Sequence, residues 1–186
     1  MGAQSTLHFG LTYPRMALTL TTIGAGSGTA FKTRSEFLRN VQENVRRYEE
    51  EGLAAVLERV RVAANRIQLK RKNPRAFENF CDRFMEHSAQ GCAYTQRGVQ
   101  ARRPPLLSLE RQLRALKVPT HVVAGGEDPG AIEPALFIKR TCAAARLTIA
   151  PATGHLVNIE PELLNRLTES FYALVESGQW RPRAEA

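Results

Sequence analysis

The stretches VPTHVVAGGED (residues 118–128) and LTIAPATGH (residues 147–155) determine how this chain folds. Each is a short apolar run that continues into turn-forming residues and then into a polar side chain. A run of this kind, bounded by a turn signal, predicts a β-strand, here at 120–124 and 147–150. Asp128 and His155 therefore each follow the carboxyl end of a predicted strand.

Strands that alternate with helices predict a parallel sheet with helices on its faces. A further strand is predicted at 16–23, before a glycine cluster, and helical patterns flank the strands at 1–13, 109–116, 133–144 and 161–177. Between 30 and 109 the pattern is helical throughout, including one long helix from 53 to about 70. We expect an α/β fold in which 1–29 and 110–186 form a core with three parallel strands and 30–109 form a helical lid.

The positions of Asp128 and His155 predict a catalytic pair. Ligands and catalytic groups gather outside the carboxyl ends of the strands in an open parallel sheet. There a histidine can carry a proton between a nucleophile and a leaving group, while an acid fixes its tautomer. An aspartate in a glycine-rich turn is often only a turn former. The occurrence of both residues after consecutive strands is what indicates a site.

The composition favours an ordinary globular protein and predicts neither a cofactor nor a metal site. The 186 residues carry a formal net charge of +8, but the densest basic run, 66–75, has no aromatic residue among its cations. Since base stacking needs such residues, nucleic-acid binding is not expected. Cys81, Cys92 and Cys142 fit neither a disulfide framework nor a metal motif. No apolar stretch could span a bilayer and no secretion signal is recognisable, so we expect no membrane contact and a cytoplasmic location.

Three phenylalanines in the lid have two interpretations. Phe77, Phe80 and Phe84 recur at helical spacing on one predicted helix. Such a stripe is typical of a helix face packed in a core. The same three rings are candidate substrate-binding residues if that face lines a pocket. The sequence leaves both interpretations open.

The two strand segments resemble the carboxyl-terminal third of the α/β-hydrolase family. Residues 118–128 are similar to its V-P-T-L-V-hydrophobic-x-G-x-x-D pattern, and residues 151–160 are similar to its later G-H-x-x-x-x-E pattern. Residues 98–104 are similar to the return from lid to core in some bacterial members. One departure is that Glu160 meets Pro161 directly, where the family often has a residue between them. The resemblance implies that Asp128 and His155 are the acid and base of a catalytic triad.

The family's nucleophile motif is absent from the sequence. Its G-x-S-x-G elbow does not occur, and Ser27 is flanked by Ala25 and Thr29 where the elbow needs glycines. Residues 1–14 (MGAQSTLHFGLTYP) resemble the segment directly after the nucleophile in this family. The resemblance implies that Met1 is the residue next to the missing serine, at a position whose backbone N–H contributes to the oxyanion hole.

The functional expectation is therefore a serine esterase-type hydrolase of small hydrophobic substrates that is inactive as given. The alternative is a non-catalytic binding or partner protein, or one half of a split hydrolase. The strand at 16–23 would present an unpaired hydrophobic edge, through which the chain could self-associate or bind an N-terminal half. The nucleophile type and the reaction subclass stay open, because the family members differ at residues that this sequence lacks.

Overall fold

The core of the molecule is a small parallel sheet. The computed structural model describes residues 1–26, 34–159 and 161–184. Within them, three strands pair in parallel in the order β1–β2–β3, with Leu20 opposite Thr120 and Thr120 opposite Ala145. The strands are β1 Leu20–Ile23, β2 Thr120–Gly125 and β3 Ala145–Ala150. This sheet confirms the predicted fold class, a partial α/β sheet with helices around it.

The helices fall into two groups along the chain. Those that flank the strands are α1 Gly2–Thr12, α7 Glu110–Ala115, α8 Ile132–Thr141 and α9 Pro161–Glu176. Those between β1 and α7 are α2 Arg34–Glu50, α3 Gly52–Arg61, α4 Ala64–Lys72, α5 Pro74–Met85 and α6 Ala89–Thr95, with a π-helical turn at Gln96–Gln100. The predicted lid boundary near residue 30 lies outside the described residues.

The sheet is covered on both faces, which explains why β2 is an almost continuous apolar run. Successive residues of a strand point to opposite faces. Val122 packs in a cluster with Leu7 of α1, Leu113 of α7 and Ile138 of α8. Val123 packs in a separate cluster that includes side chains of α9. All six residues of β2 are buried as a result.

Two sequence-based boundaries are wrong. The first strand begins at Leu20 rather than at residue 16, because Pro14–Met16 forms a 3-10 turn and Leu18 is 85% exposed. The long helix predicted from 53 to about 70 is two helices, α3 and α4. Ala63 between them is extended, with φ −65° and ψ 132°, although no glycine or proline marks the break.

The carboxyl end of β2 lies directly against the turn that follows β3. A Cβ at Gly125 would collide with the carbonyl oxygens of Thr153 and Gly154. The backbone N–H of Glu127 donates to the Thr153 carbonyl at 2.9 Å. The two segments that determine the fold are therefore joined by backbone contacts. They lie so close together at Gly125 that there is no room for a side chain between them.

This contact gives a stability prediction. We expect Gly125→Ala to lower the free energy of unfolding by about 1–3 kcal/mol, because the added methyl meets backbone that has no rotamer to change. Urea denaturation measures the loss. The matched control is Gly98→Ala, whose Cβ meets no atom within 4 Å. The control is expected to be neutral or slightly stabilising, so equal losses in both variants would contradict the role assigned to Gly125.

A buried histidine gives a second prediction. His121 on β2 is 4% exposed, and its ring lies 5.2 Å from that of Phe171 between centroids. Burial, and then the nearby charge of Arg146, lowers the pKa of His121 below its usual value. When the pH falls through about 6.5 the unfolded chain therefore binds a proton that the folded chain does not, so stability decreases there.

The measurement is the free energy of unfolding at about pH 7.5 and at about pH 5.5, on either side of the ordinary histidine pKa. The loss on acidification is expected to be smaller in His121→Gln than in the parent chain. Other titrating groups contribute equally to both proteins. An unchanged pH dependence in the variant would mean that His121 takes up its proton normally in the folded state.

Candidate active site

The structure brings Asp128 and His155 together. His155 Nδ1 lies 2.6 Å from Asp128 Oδ2. The carboxylate can only accept a hydrogen bond, so Nδ1 is the donor and the neutral ring leaves Nε2 unprotonated. Asp128 is 2% exposed, whereas the His155 ring is partly open to solvent. The arrangement can therefore accept a proton at Nε2 while a buried negative charge stabilises the resulting imidazolium.

Backbone contacts hold both side chains. The Asp128 N–H donates to the Gly125 carbonyl at 3.1 Å, in the turn directly after β2. The His155 N–H donates to the Asn65 carbonyl of α4 at 2.8 Å. The His155 ring packs on Gly24, where a Cβ would lie 3.0 Å from the ring's Cε1 and where φ is +66°, a conformation that favours glycine. The histidine is fixed by the core on one side and by the helical segment on the other.

A cavity of about 390 Å³ opens beside the pair, lined by both Asp128 and His155. Met1, the predicted oxyanion-hole residue, lines the same cavity. Burial, and then the nearby Arg103, lowers the pKa of the Met1 amino group. The three residues predicted from the core motifs therefore share one site, and the oxyanion role of Met1 stays a prediction. Ser27, the serine beside the glycine cluster, lies outside the described residues.

The three lid phenylalanines do not line this cavity. Phe77 is 0% exposed and packs with Leu57, Leu69 and Cys81, while Phe80 and Phe84 pack against that cluster. The structure favours the core interpretation over substrate contact, because this face of α5 turns toward α3 and α4. Among the described residues, the phenylalanine that does line the cavity is Phe37 of α2.

Sequence reasoning missed the polar part of the lining. Five amide residues and two arginines of the described helical segment line the cavity: Asn40, Asn44, Asn65, Gln96, Gln100, Arg66 and Arg103. Arg66 belongs to the basic run 66–75, for which the sequence predicts no nucleic-acid binding. This polar lining differs from the hydrophobic substrate site that the sequence led us to expect.

Two further properties of the described residues bear on the nature of the site. No group of three or more histidine, cysteine, aspartate or glutamate side chains in that part of the chain could hold a metal ion. No helix there has the length and apolar character needed to cross a membrane.

The sequence matches no protein-family model and no curated protein. Its fold is nevertheless similar to several solved structures. MenH from S. aureus superposes with a TM-score of 0.83 at 15% identity, over 94% of this chain and 65% of that one. A thermophilic esterase from Thermogutta terrifontis gives 0.76 at 22% identity, over 94% and 62%. MGS-M2, an α/β-hydrolase enzyme from a Medee basin deep-sea metagenome library, gives 0.72 at 16% identity, over 100% and 65%.

The chain spans 62–65% of the length of these three proteins, so the similarity concerns part of their fold. That part contains the three-stranded sheet, its flanking helices and the helical segment between β1 and α7. The sheet order, the Asp128–His155 pair at its carboxyl edge and the superpositions agree with one another. This chain therefore has the α/β-hydrolase fold, over the portion that carries the acid and the histidine.

Proposed function

We propose that this chain is the carboxyl-terminal part of a hydrolase in which Asp128 and His155 are the acid and base of a catalytic triad. The observation that carries the proposal is the 2.6 Å contact between His155 Nδ1 and Asp128 Oδ2, at the carboxyl ends of adjacent strands and beside a cavity. This is the geometry in which a histidine accepts a proton from a nucleophile and returns it to a leaving group.

In the proposed reaction the nucleophile attacks the carbonyl carbon of an ester-like bond as His155 Nε2 takes its proton. The imidazolium, stabilised by Asp128, then protonates the departing oxygen, and water releases the acyl group by the same two steps. We assign the nucleophile to a residue preceding Met1 in the intact protein. The place of Met1 in the cavity wall supports this, because the residue before it would lie near the same cavity that His155 lines. In a longer chain the Met1 nitrogen would be a backbone N–H available to a developing oxyanion.

The free edge of β1 supports a missing partner segment. Among the described residues β1 pairs with β2 alone, and Met16 and Leu18 near its start are 73% and 85% exposed. An apolar parallel-sheet edge of this kind is normally covered. We assign its cover to the N-terminal part of the fold, either in the same polypeptide or as a separate half. A second copy of this chain on the same edge is the competing occupant.

The proposal predicts that activity depends on the missing part. The 186-residue chain should hydrolyse p-nitrophenyl acetate no faster than its His155→Ala variant, because the assigned nucleophile precedes Met1. A chain translated from further upstream in the same reading frame, or a co-expressed N-terminal half, should show turnover. In that complete protein His155→Ala is expected to lower kcat at least about 10³-fold.

The matched control for this assay is His87→Ala in the complete protein. His87 is exposed and lies outside the cavity, so its loss should leave kcat unchanged. Turnover by the 186-residue chain that His155→Ala abolishes would place the nucleophile inside this sequence and overturn the assignment. A stop codon directly upstream of Met1, with no separate half that restores turnover, would favour a non-catalytic binding protein instead.

The hydrogen bond itself predicts a defined tautomer, which needs no turnover to test. Proton–nitrogen correlation NMR at mildly alkaline pH should show the neutral His155 ring protonated on Nδ1, because the Asp128 carboxylate accepts that hydrogen. In Asp128→Ala the acceptor is gone and the proton is expected to move largely to Nε2. The His121 ring, which contacts Thr148 instead, serves as the internal reference. An unchanged His155 tautomer in the variant would contradict the orienting role of Asp128.

A further inference from the structure

Two arginines line the cavity beside His155. Arg66 comes from α4, and Arg103 comes from the segment after the π-helical turn. The one carboxylate in the described lining is Asp128, which already accepts the His155 hydrogen bond. The described part of the lining therefore holds more positive than negative charge at the place where a substrate would bind.

Arg66 is held at a fixed position relative to His155. Its neighbour Asn65 accepts the His155 backbone hydrogen bond at 2.8 Å, and a Cβ at Gly154 would collide with that same carbonyl. The Arg66 guanidinium faces the Phe80 ring at 5.9 Å from its centroid. The start of helix α4 thus contacts the turn that carries His155, and Arg66 is the residue directly after Asn65, which makes that contact.

The charge of Arg66 is poorly compensated by the protein. Within the described residues Arg66 forms no ion pair, and its Nε is buried without a hydrogen-bond partner. Burial lowers the pKa of Arg66, and the negative charge of Asp128 offsets part of that effect. A half-buried cation without a paired anion is unfavourable, so an anion bound in the cavity would stabilise this arrangement.

Arg103 adds a second cation to the cavity wall. Its guanidinium lies 5.3 Å from the centroid of Phe37, and that of Arg34 lies 5.4 Å from the same ring. Arg34 donates to the carbonyl oxygens of Ala101 and Arg103, which fixes the chain there. Burial and the charge of Arg34 lower the pKa of Arg103, which places two cations close together at this end of the cavity.

We propose that the cavity binds a molecule that carries a carboxylate, held by Arg66 and Arg103 beside His155. That this molecule is a substrate rests on the proposed hydrolytic function. A planar carboxylate matches the forked donors of a guanidinium. The amides of Asn40, Asn44, Gln96 and Gln100 are suited to a neutral polar portion of the same molecule. A cavity of about 390 Å³ has the size of a small-molecule site.

The test compares two esters on the 186-residue chain, where no turnover is expected to interfere. Monomethyl glutarate carries a carboxylate, and dimethyl glutarate is its neutral counterpart. Calorimetric titration at low salt should show the half-ester binding at least about tenfold more tightly. Arg66→Gln should lower the affinity for the half-ester by about tenfold or more and leave that for the diester unchanged.

The matched control is Arg71→Gln, because Arg71 lies on the same helix, is exposed and is absent from the cavity lining. Arg71→Gln should leave both affinities unchanged. Arg66→Lys keeps the charge and should retain part of the preference for the half-ester over the diester. Arg103→Gln should also reduce that preference, and it provides the test if Arg66→Gln does not fold. The Met1 amino group is common to all variants, so the comparison among them is the readout.

Equal affinity for the half-ester and the diester, or no binding of either, would overturn the proposal. Binding of inorganic phosphate as tight as that of the half-ester would reject the carboxylate assignment in favour of phosphate. Neither result depends on a nucleophile, so binding with carboxylate preference can be established even if the longer protein shows no hydrolysis. Conversely, hydrolysis without that preference would remove this inference and leave the proposed function standing.

Discussion

Close backbone packing at two glycines is the constraint on which the candidate site depends. Gly125 allows the end of β2 to touch the carbonyls of Thr153 and Gly154. Gly154 in turn allows the same turn to touch the Asn65 carbonyl of α4. Neither approach leaves room for a Cβ, and interiors packed at this density do not absorb one cheaply. Sheet and helical segment therefore meet at the residue immediately before His155.

This packing fixes His155 more firmly than its exposed ring suggests. The Asp128 carboxylate holds Nδ1, the Asn65 carbonyl holds the backbone N–H, and Gly24 lies against the ring. A catalytic histidine stabilises charge in a transition state only if its orientation costs no reorganisation during the reaction. The contact with Asn65 has a second effect, since it ties the position of Arg66 in the cavity wall to the position of the histidine.

The sequence predicts the sheet and the acid–histidine pair because both depend on local patterns. Strand β2 is buried on two faces and so is largely apolar, and Asp128 and His155 follow turn residues that end their strands. The start of β1 could not be predicted this way, because Leu18 looks like a strand residue but is exposed near an unpaired edge. The break at Ala63 carries no glycine or proline, and it accompanies a hydrogen bond from His155, which is distant along the chain.

The polar lining was missed for a different physical reason. Asn40 and Asn44 lie on the polar face of an amphipathic helix, and such a face looks the same in sequence whether it meets solvent or an internal cavity. The aromatic stripe of α5 is ambiguous in sequence for the opposite reason. Its spacing is compatible with a pocket, but Phe77 packs against Leu57 and Leu69. Only the tertiary structure shows whether the polar face of a helix is exposed to solvent or lines a cavity.

The positions of the cations matter more for the proposed site than the net charge of +8. On α2, Arg46 contacts Glu43 and Glu50 across exposed surface, where such pairs contribute little. Arg66 instead shares a cavity with Asp128. Two negative charges about 8 Å apart, at an effective dielectric constant of about 20, repel each other by about 2 kcal/mol. An anionic substrate beside His155 would experience a repulsion of this order from Asp128. A guanidinium in the same wall would offset it, so the proposed acid Asp128 and a carboxylate-bearing substrate would be compatible in one site.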